Sequence, residues 1–242
     1  GKFYEGAQSL KSAYLQRKFA LLFGDDEARQ EERDMWKLSP TEINAYYAPA
    51  TNTIAFPAGI LNPPFFTAGA PLPLNYGAIG TFIAHEFSHA FDSSGRQYDP
   101  EGELNDWWTP ESDAIYAEKE ACFVDQYSRY EYKGQRLNGN LTLTENIADN
   151  VGLDLAYRTL QEALGPEHGK RLPSTPWSPD QLFFLGFAQS WCDSISGHKA
   201  RTQIASDEHT LPKFRVNGAV SNSEAFEKAF QCKNKVNKCN LF

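Results

Sequence analysis

Apolar residues recur at helical spacing in several stretches of the chain, separated by turns rich in proline and glycine. The spacing predicts helices over residues 4–23, 79–91, 111–130, 142–164, 181–191 and 223–230. Residues 43–48 and 53–56 are strand-like on either side of a turn, which predicts a β-hairpin. The charged sequence of residues 25–34 predicts a solvated helix or a linker, whereas residues 165–180 and 206–215 have turn-like sequence. The pattern predicts a mostly helical α+β protein with a small hairpin.

The helix predicted over residues 79–91 has an apolar stripe. Ile79, Ile83 and Phe87 recur every fourth residue and are followed by Ala90 or Phe91. Side chains at this spacing lie on one side of a helix. We therefore expect this stripe to be buried in the core.

A second face of the same helix carries candidate chemistry. His85 and His89 are one turn apart, so both imidazoles can bind one zinc ion. Glu86 completes the pattern His-Glu-x-x-His, in which the glutamate activates a water at the metal of a metallopeptidase. Asp92 is placed to accept a hydrogen bond from a ligand imidazole. A chance match in an amphipathic helix is the alternative, but the alignment of these four residues favours a metal site.

A catalytic zinc needs a third protein ligand. Glu145 and Asp149 are four residues apart and share one face of the helix predicted over residues 142–164. Glu145 is thus the best candidate for the third ligand, with Asp149 orienting a ligand histidine. Alternatively, Thr142 and Glu145 form a capping box and Asp149 is a solvated residue. The rival pattern His-x-x-Gly-x-x-His needs glycine at position 92, which Asp92 excludes.

The hairpin and the segment 206–215 offer possible substrate contacts. A hairpin edge can bind an extended peptide as an added strand, and Asn44 has both a donor and an acceptor for the peptide backbone. His209 and Arg215 are possible donors to an oxyanion and to a substrate carbonyl. The alternatives are a structural hairpin, a surface histidine and a salt-bridged arginine. Considered without other information, Asn44, His209 and Arg215 favour these structural alternatives.

Composition narrows the possible partners. Lys and Arg total 23 against 31 Asp and Glu, a net charge of −8 that argues against nucleic acid and anionic membranes. No run of apolar residues is long enough to span a membrane, and the first 20 residues do not resemble a signal peptide. Because the chain starts without Met in helix-like sequence, we expect a processed or excised piece of a longer protein.

The cysteines and one sequon favour an oxidising compartment. Cys122, Cys192, Cys232 and Cys239 have no Cys-x-x-Cys spacing, which makes disulfides more plausible than a thiolate metal site. Asn140 begins an Asn-x-Thr triplet that can accept an N-linked glycan. We therefore predict a secreted protein or the ectodomain of a membrane-anchored one.

In order along the chain, five motifs resemble the neprilysin family of zinc endopeptidases, which includes the endothelin-converting enzymes. The motifs are Asn-Ala-Tyr-Tyr at 44–47, Phe-Pro-Ala-Gly-Ile-Leu at 56–61, His-Glu-x-x-His at 85–89, Glu-Asn-Ile-Ala-Asp-Asn at 145–150, and residues 209–215. The resemblance implies a thermolysin-like zincin fold with a small hairpin and one zinc ion per chain between two helices. It also implies that residues 1–242 are a single catalytic domain.

The resemblance also implies residue roles. His85, His89 and Glu145 would be the zinc ligands, Glu86 the general base, and Asp149 and Asp92 the partners of the ligands. His209 would stabilise the oxyanion and Arg215 would hold a substrate carbonyl. Substrate backbone would bind Asn44 and Ala45, and a pocket for a large apolar residue after the cut would be lined by Ile60, Phe65, Phe82 and Trp191. The implied activity is cleavage on the amino side of large apolar residues; a peptide-binding decoy that does not cleave is the alternative.

The chain also departs from the family pattern. Family members have a large helical lobe upstream that restricts access to the site, and nearly all of it is absent here. Family pairing would join Cys122 to Cys239, and Cys192 and Cys232 to upstream cysteines. The last two are therefore free, joined to each other, or bonded to an N-terminal lobe or fragment of the same protein.

Overall fold

A computed structural model describes residues 2–22, 30, 35–167, 175–233 and 238–242. The last residue of the helix predicted over residues 4–23, most of the charged segment 25–34 and part of the turn-like segment 165–180 lie outside these residues. The longer helices span Lys2–Leu22, Thr81–Ser88, Pro110–Ser128, Leu143–Leu164, Pro179–Ser190, Gly197–Ser206, Pro212–Asn222 and Glu224–Phe230. A short helix spans Leu72–Asn75. The predicted mostly helical α+β class is confirmed.

The strands of the described residues form two small antiparallel hairpins. Strands Tyr46–Ala48 and Thr53–Ala55 pair in the register that joins Tyr46 to Ala55, and Glu131–Tyr132 pairs with Gln135–Arg136. The first is the predicted hairpin. Its first strand begins at Tyr46 rather than at Ile43, so Asn44 and Ala45 lie in the segment that leads into it.

Local sequence explains where several helices begin. The Thr109 side chain accepts a hydrogen bond from the backbone N–H of Ser112, and Pro110 takes the first helical position. Ser178 and Gln181 form a reciprocal capping box ahead of the helix Pro179–Ser190. Residues 212–215 were predicted to be turn-like, which is wrong, because Pro212 starts a helix that continues through Arg215 to Asn222.

Two of the three clusters of buried side chains pack against the helix that carries Glu145. In the first, Phe183, Phe184 and Phe187 pack against Leu153 and Leu160. This cluster fixes the helix Leu143–Leu164, called the Glu145 helix below. In the second cluster, Tyr116, Phe123, Tyr127 and Ile147 pack with Cys239. There, Cys122 and Cys239 form a disulfide that ties the C-terminal segment to the helix Pro110–Ser128.

The helix Thr81–Ser88, called the His85 helix below, is preceded by a π-helical turn over Tyr76–Gly80 and followed by a 3-10 turn over His89–Phe91. The prediction that its apolar stripe is buried is wrong for two of the three residues. Ile79 is buried, but Ile83 and Phe87 are 45% and 55% exposed. The buried face instead carries Thr81, Ala84, His85 and Ser88 against the Glu145 helix. Among the described residues, no helix is both long and apolar enough to cross a membrane.

Candidate metal centre and active site

The His85 helix and the Glu145 helix cross unusually closely. A Cβ atom on Gly152 would lie 2.7 Å from the backbone nitrogen of His85 and 2.9 Å from its Cα, which is closer than real contacts allow. The Ser88 hydroxyl donates to the carbonyl of His85 at 2.8 Å and approaches that of Ala148 at 3.3 Å. Glycine at position 152 therefore lets the two helices bring His85 and Glu145 together.

Three side chains converge where the helices cross. Nε2 of His85 lies 3.0 Å from Nε2 of His89 and 3.4 Å from one carboxylate oxygen of Glu145. The other carboxylate oxygen of Glu145 lies 3.5 Å from Nε2 of His89. Ligand atoms about 2.0–2.1 Å from a tetrahedral zinc ion are separated from one another by roughly 3.3 Å. The observed separations match this value, so the three side chains fit a zinc ion. The fourth position would be open to substrate or water.

The capping-box alternative for Glu145 is not observed. The Thr142 side chain makes no capping hydrogen bond to the helix start. Its hydroxyl donates to the carbonyl of Asn138 at 3.2 Å and accepts from the amide of Asn146 at 2.8 Å. The Glu145 carboxylate is therefore free to face the two histidines.

Two aspartates hold the candidate ligand histidines. Nδ1 of His89 is 2.5 Å from one oxygen of Asp92, whose other oxygen accepts from the backbone N–H groups of Ser94 and Gly95 at 2.8 and 2.7 Å. Nδ1 of His85 lies 2.9 Å from Asp149. Each histidine therefore has its Nδ1 against a carboxylate and its Nε2 toward the centre of the cluster. This is the arrangement that orients a ligand imidazole.

Arg215 is buried against the same carboxylates. Its Nε and one terminal nitrogen donate to the two oxygens of Asp149, both at 2.6 Å, and the same terminal nitrogen donates to Glu145 at 3.1 Å. The guanidinium also lies 4.1 Å from the ring centre of Trp191. Sequence analysis left a salt-bridged arginine as the alternative. The ion pair exists, and Arg215 also lines the cleft described below.

These contacts shift the ionisation of the buried groups. Burial lowers the pKa of His85, but the carboxylates of Asp149 and Glu145 outweigh it and raise the pKa to about 9. Burial raises the pKa values of Glu145 and Asp149, yet the positive charges of His85 and Arg215 hold both below their usual values. In the absence of metal, the cluster is thus an ion network in which positive His85 and Arg215 neutralise two carboxylates.

Glu86 lies beside the cluster in a different environment. It is 7% exposed. Burial raises the pKa of its carboxyl group, and the neighbouring His85 and His89 only partly offset this effect. A buried carboxylate with a raised pKa at the wall of a cleft suits a general base.

His209 reaches the cluster from the segment before the helix Pro212–Asn222. Its Nε2 lies 3.3 Å from Glu145. Asp207 accepts from the backbone N–H of His209 at 2.8 Å, and the same oxygen lies 2.9 Å from Nδ1 of the ring. Sequence analysis did not identify Asp207. An acidic residue two positions before a candidate histidine is the signal that could have found it.

A cleft of about 610 Å³ opens onto the cluster. Phe82 packs edge to face with Phe65, their ring centres 5.1 Å apart, and stacks on Trp191 at 5.0 Å. Tyr47 also lines the cleft and was missed by sequence analysis; burial and then the charge of Asp92 raise its pKa. The cleft brings together all the residues predicted to bind substrate: Asn44, Ala45, Ile60, Phe65, Phe82, Trp191 and Arg215.

The remaining predicted positions lie outside the cleft. Cys192 and Cys232 are exposed and are not bonded to each other, which excludes one of the three alternatives for this structure. Asn140 is exposed in the turn before the Glu145 helix, where a glycan has room. Within the cleft, by contrast, the side-chain Oδ1 of Asn44 accepts from the backbone N–H of Ala45 at 3.0 Å.

Comparisons with known proteins agree with this geometry. Residues 44–240 match the model of peptidase family M13. The chain is 44% identical over 211 residues to human endothelin-converting enzyme 1, covering 86% of this chain and 27% of that protein. It is 43% identical over 214 residues to neprilysin-3 of Drosophila melanogaster, with coverage of 86% and 27%. The chain thus spans about a quarter of the length of these relatives.

Solved structures give the same result. The zinc metalloprotease ZMP1 of Mycobacterium tuberculosis, in complex with an inhibitor, superposes with a TM-score of 0.81 at 38% identity, covering 89% of this chain and 33% of that one. PepO of Lactobacillus rhamnosis superposes with a TM-score of 0.74 at 36% identity, covering 83% and 30%. Residues 44–240, which match the family model, include His85, His89 and Glu145.

Proposed function

We propose that this chain, which belongs to peptidase family M13, forms the zinc-binding catalytic part of an endopeptidase. The observation that carries the proposal is the convergence of His85, His89 and Glu145 within 4.8 Å of one another, with Glu86 on the wall of the same cleft. The chain covers about a quarter of its relatives, so the activity of the whole protein is inferred from this region.

One zinc ion per chain would bind at these three side chains. The ion would act as a Lewis acid toward the scissile carbonyl and an attacking water. Glu86 accepts the proton of that water and passes it to the departing amine. Its raised pKa favours this role, because a stronger base takes the proton more readily. Asp149 and Asp92 hold the two histidines in place at Nδ1.

Two further groups stabilise negative charge on the carbonyl oxygen. His209 donates from Nε2, and Asp207 orients its ring through Nδ1. Arg215 is held by Asp149 through Nε and one terminal nitrogen, which leaves its other terminal nitrogen for a substrate carbonyl. An extended substrate binds along Asn44 and Ala45, beside the first hairpin.

We propose that the residue after the cut is large and apolar. The cleft wall formed by Ile60, Phe65, Phe82 and Trp191 is apolar and rests on aromatic contacts. A substrate side chain that buries apolar surface against this wall contributes binding free energy in proportion to the area removed from water. Cleavage should therefore fall on the amino side of such residues.

We also propose that the protein acts outside the cytoplasm and contains an N-terminal lobe or fragment bonded to Cys192 and Cys232. Both thiols are exposed, and the disulfide between Cys122 and Cys239 fits an oxidising compartment. Peptide mapping under non-reducing conditions tests this proposal. Disulfides from Cys192 and Cys232 to peptides outside residues 1–242 support it, whereas free thiols in the native protein would contradict it.

The test of the activity is hydrolysis of a set of quenched peptides that differ only in the residue after the scissile bond, with metal analysis of the same sample. One zinc per chain and chelator-sensitive cleavage before Phe or Leu, but not before Asp or Gly, is the expected result. One zinc with no cleavage of any peptide, even by the native protein, would instead favour the alternative function, a peptide-binding decoy.

A further inference from the structure

The outer side of the His85 helix faces an apolar groove of about 640 Å³. Five large side chains line it and remain exposed: Phe66 (37%), Leu72 (44%), Ile83 (45%), Phe87 (55%) and Leu155 (38%). They come from the loop before residue 72, the short helix Leu72–Asn75, the His85 helix and the Glu145 helix. Within the described part of the chain, no charged residue is among those lining the groove. A continuous apolar surface of this kind marks an interaction site.

The sequence itself indicates that this surface is covered. Ile79, Ile83 and Phe87 have the period of a buried stripe, yet only Ile79 is buried in the described structure. Scattered exposed apolar residues need no explanation, but here five adjoin one another on a loop and three neighbouring helices. The pattern therefore indicates that polypeptide other than these 242 residues covers this surface.

We propose that the groove is the docking surface for an apolar segment of the same protein, from polypeptide outside residues 1–242. This occupant is favoured because the chain spans only 27% of endothelin-converting enzyme 1 and 33% of ZMP1. Relatives of similar sequence thus have much more polypeptide available to cover the groove. The segment binds through apolar side chains, since the groove offers no charge to pair with.

An anionic membrane fits the groove less well, because it would need lysine or arginine around the groove, but none lines it, and the chain has a net charge of −8. A second copy of this chain would dock by placing the grooves of the two copies face to face, and the test below distinguishes this occupant by its dependence on concentration. The proposal does not depend on zinc binding or on cleavage, because the groove lies on the side of the His85 helix away from the ligands.

Hydroxyl-radical footprinting tests the proposal. The protein isolated from its natural source is compared with a recombinant protein that contains only residues 1–242. We expect Phe66, Phe87 and Leu155 to be oxidised at least about fivefold more slowly in the natural protein, as for residues at the core of an interface. Leu104 and Ile115 are exposed apolar controls outside the groove, and their rates should be equal in the two samples.

Two results would overturn the proposal. Equal oxidation of the groove residues in both samples would mean that no further polypeptide covers them. Protection that appears in residues 1–242 alone and increases with concentration would mean that a second copy is the occupant. Cross-linking of the natural protein gives an independent readout, because cross-links from residues near the groove must reach peptides outside residues 1–242.

A matched pair of variants sharpens the result. Phe87→Lys in the natural-length protein should restore rapid oxidation of Phe66 and Leu155, because a charged side chain opposes docking of an apolar segment. Ile115→Lys places the same charge on an exposed apolar position outside the groove and should leave both rates unchanged. Equal effects of the two variants would contradict the proposal.

Discussion

The two sides of the His85 helix differ in a way that reverses the usual rule for helices. The side that faces the Glu145 helix is polar and buried, with His85, Glu86 and Ser88 each less than a tenth exposed. The opposite side is apolar, and Ile83 and Phe87 are about half exposed. A surface helix normally turns its apolar side inward. Here each side departs from that expectation for its own reason.

The polar side can be buried because positive His85 and Arg215 lie against two carboxylates of the Glu145 helix. His85 lies against Asp149, and Arg215 contacts both Asp149 and Glu145. Without these partners the burial of several charges would strongly destabilise the fold. The apolar side has no such compensation in the described structure, so it points to a missing neighbour. Buried polar groups thus mark the site, and exposed apolar groups mark an interface.

The largest stability effect should come from the carboxylate at the centre of the polar side. Asp149→Ala leaves buried Arg215 and His85 without their main partner, and removal of one member of a buried ion network costs about 3–5 kcal/mol. Chemical denaturation of the metal-free protein measures the loss. Asp154→Ala on the same helix is the control, because its pair with Arg158 is exposed and is worth less than about 1 kcal/mol. Similar losses in the two variants would contradict the network.

The close crossing of the helices predicts a smaller effect. Gly152→Ala places a Cβ atom 2.7 Å from the backbone nitrogen of His85, so the helices must separate, at a cost of about 1–3 kcal/mol. Zinc affinity should fall as well, because Glu145 moves away from the histidines. Gly6→Ala, at a helical position with no atom within 4 Å, is the control and should be neutral or slightly stabilising. Unchanged zinc affinity in Gly152→Ala would show that the close crossing of the helices does not determine the positions of the zinc ligands.

The buried charges also predict how pH affects the protein without metal. The pKa of His85 rises from 6.5 to about 9 on folding, so its contribution to stability is complete below pH 6.5 and is lost as pH rises through 9. The lowered pKa of Glu145 acts in the opposite direction, and its contribution is lost as acid is added below its unfolded value of 4.5. Thermal unfolding in chelator should show Tm falling by roughly 5 °C from about pH 6 to pH 9.

Bound zinc should change that profile. Zinc requires the neutral form of a histidine ligand, so proton and metal compete at His85. With zinc present, Tm should rise over the same pH interval. A profile that is the same with and without zinc would show that the metal does not bind at this histidine.

The smallest effect is expected on the apolar side. Phe87→Ala in the isolated 242-residue chain removes a side chain that is already largely in water, so stability should change by less than about 0.5 kcal/mol. Phe183→Ala removes a fully buried ring from the core and should cost about 3–5 kcal/mol. Chemical denaturation of both variants makes the comparison. A large loss in Phe87→Ala would show that the apolar side is buried within this chain.

The sequence predicts features that depend on spacing within one helix. Four-residue spacing places His85 beside His89 and Glu145 beside Asp149, because residues at this distance share a helical face. Periodicity also predicts the first hairpin and most of the longer helices, but not Gly197–Ser206 or Pro212–Asn222. Five ordered motifs extend this to the family, and the family match confirms it.

Features that depend on distant contacts are not predictable in the same way. Arg215 is 66 residues from Asp149 along the chain, so nothing in local spacing indicates that they pair. The burial of a stripe depends on what packs against it, and this explains the wrong prediction for Ile83 and Phe87. The segment 206–215 has polar, turn-like sequence, and only Pro212 indicates that a helix begins inside it.

We propose that His85, His89 and Glu145 bind zinc for a reaction in which Glu86 moves the proton. The most direct measurement is zinc content and peptide hydrolysis of Glu86→Gln beside the unchanged protein. We expect one zinc per chain in both, with kcat/KM of the variant lower by about a thousandfold or more, since the amide cannot act as a base. Hydrolysis at an undiminished rate by the variant would contradict the account.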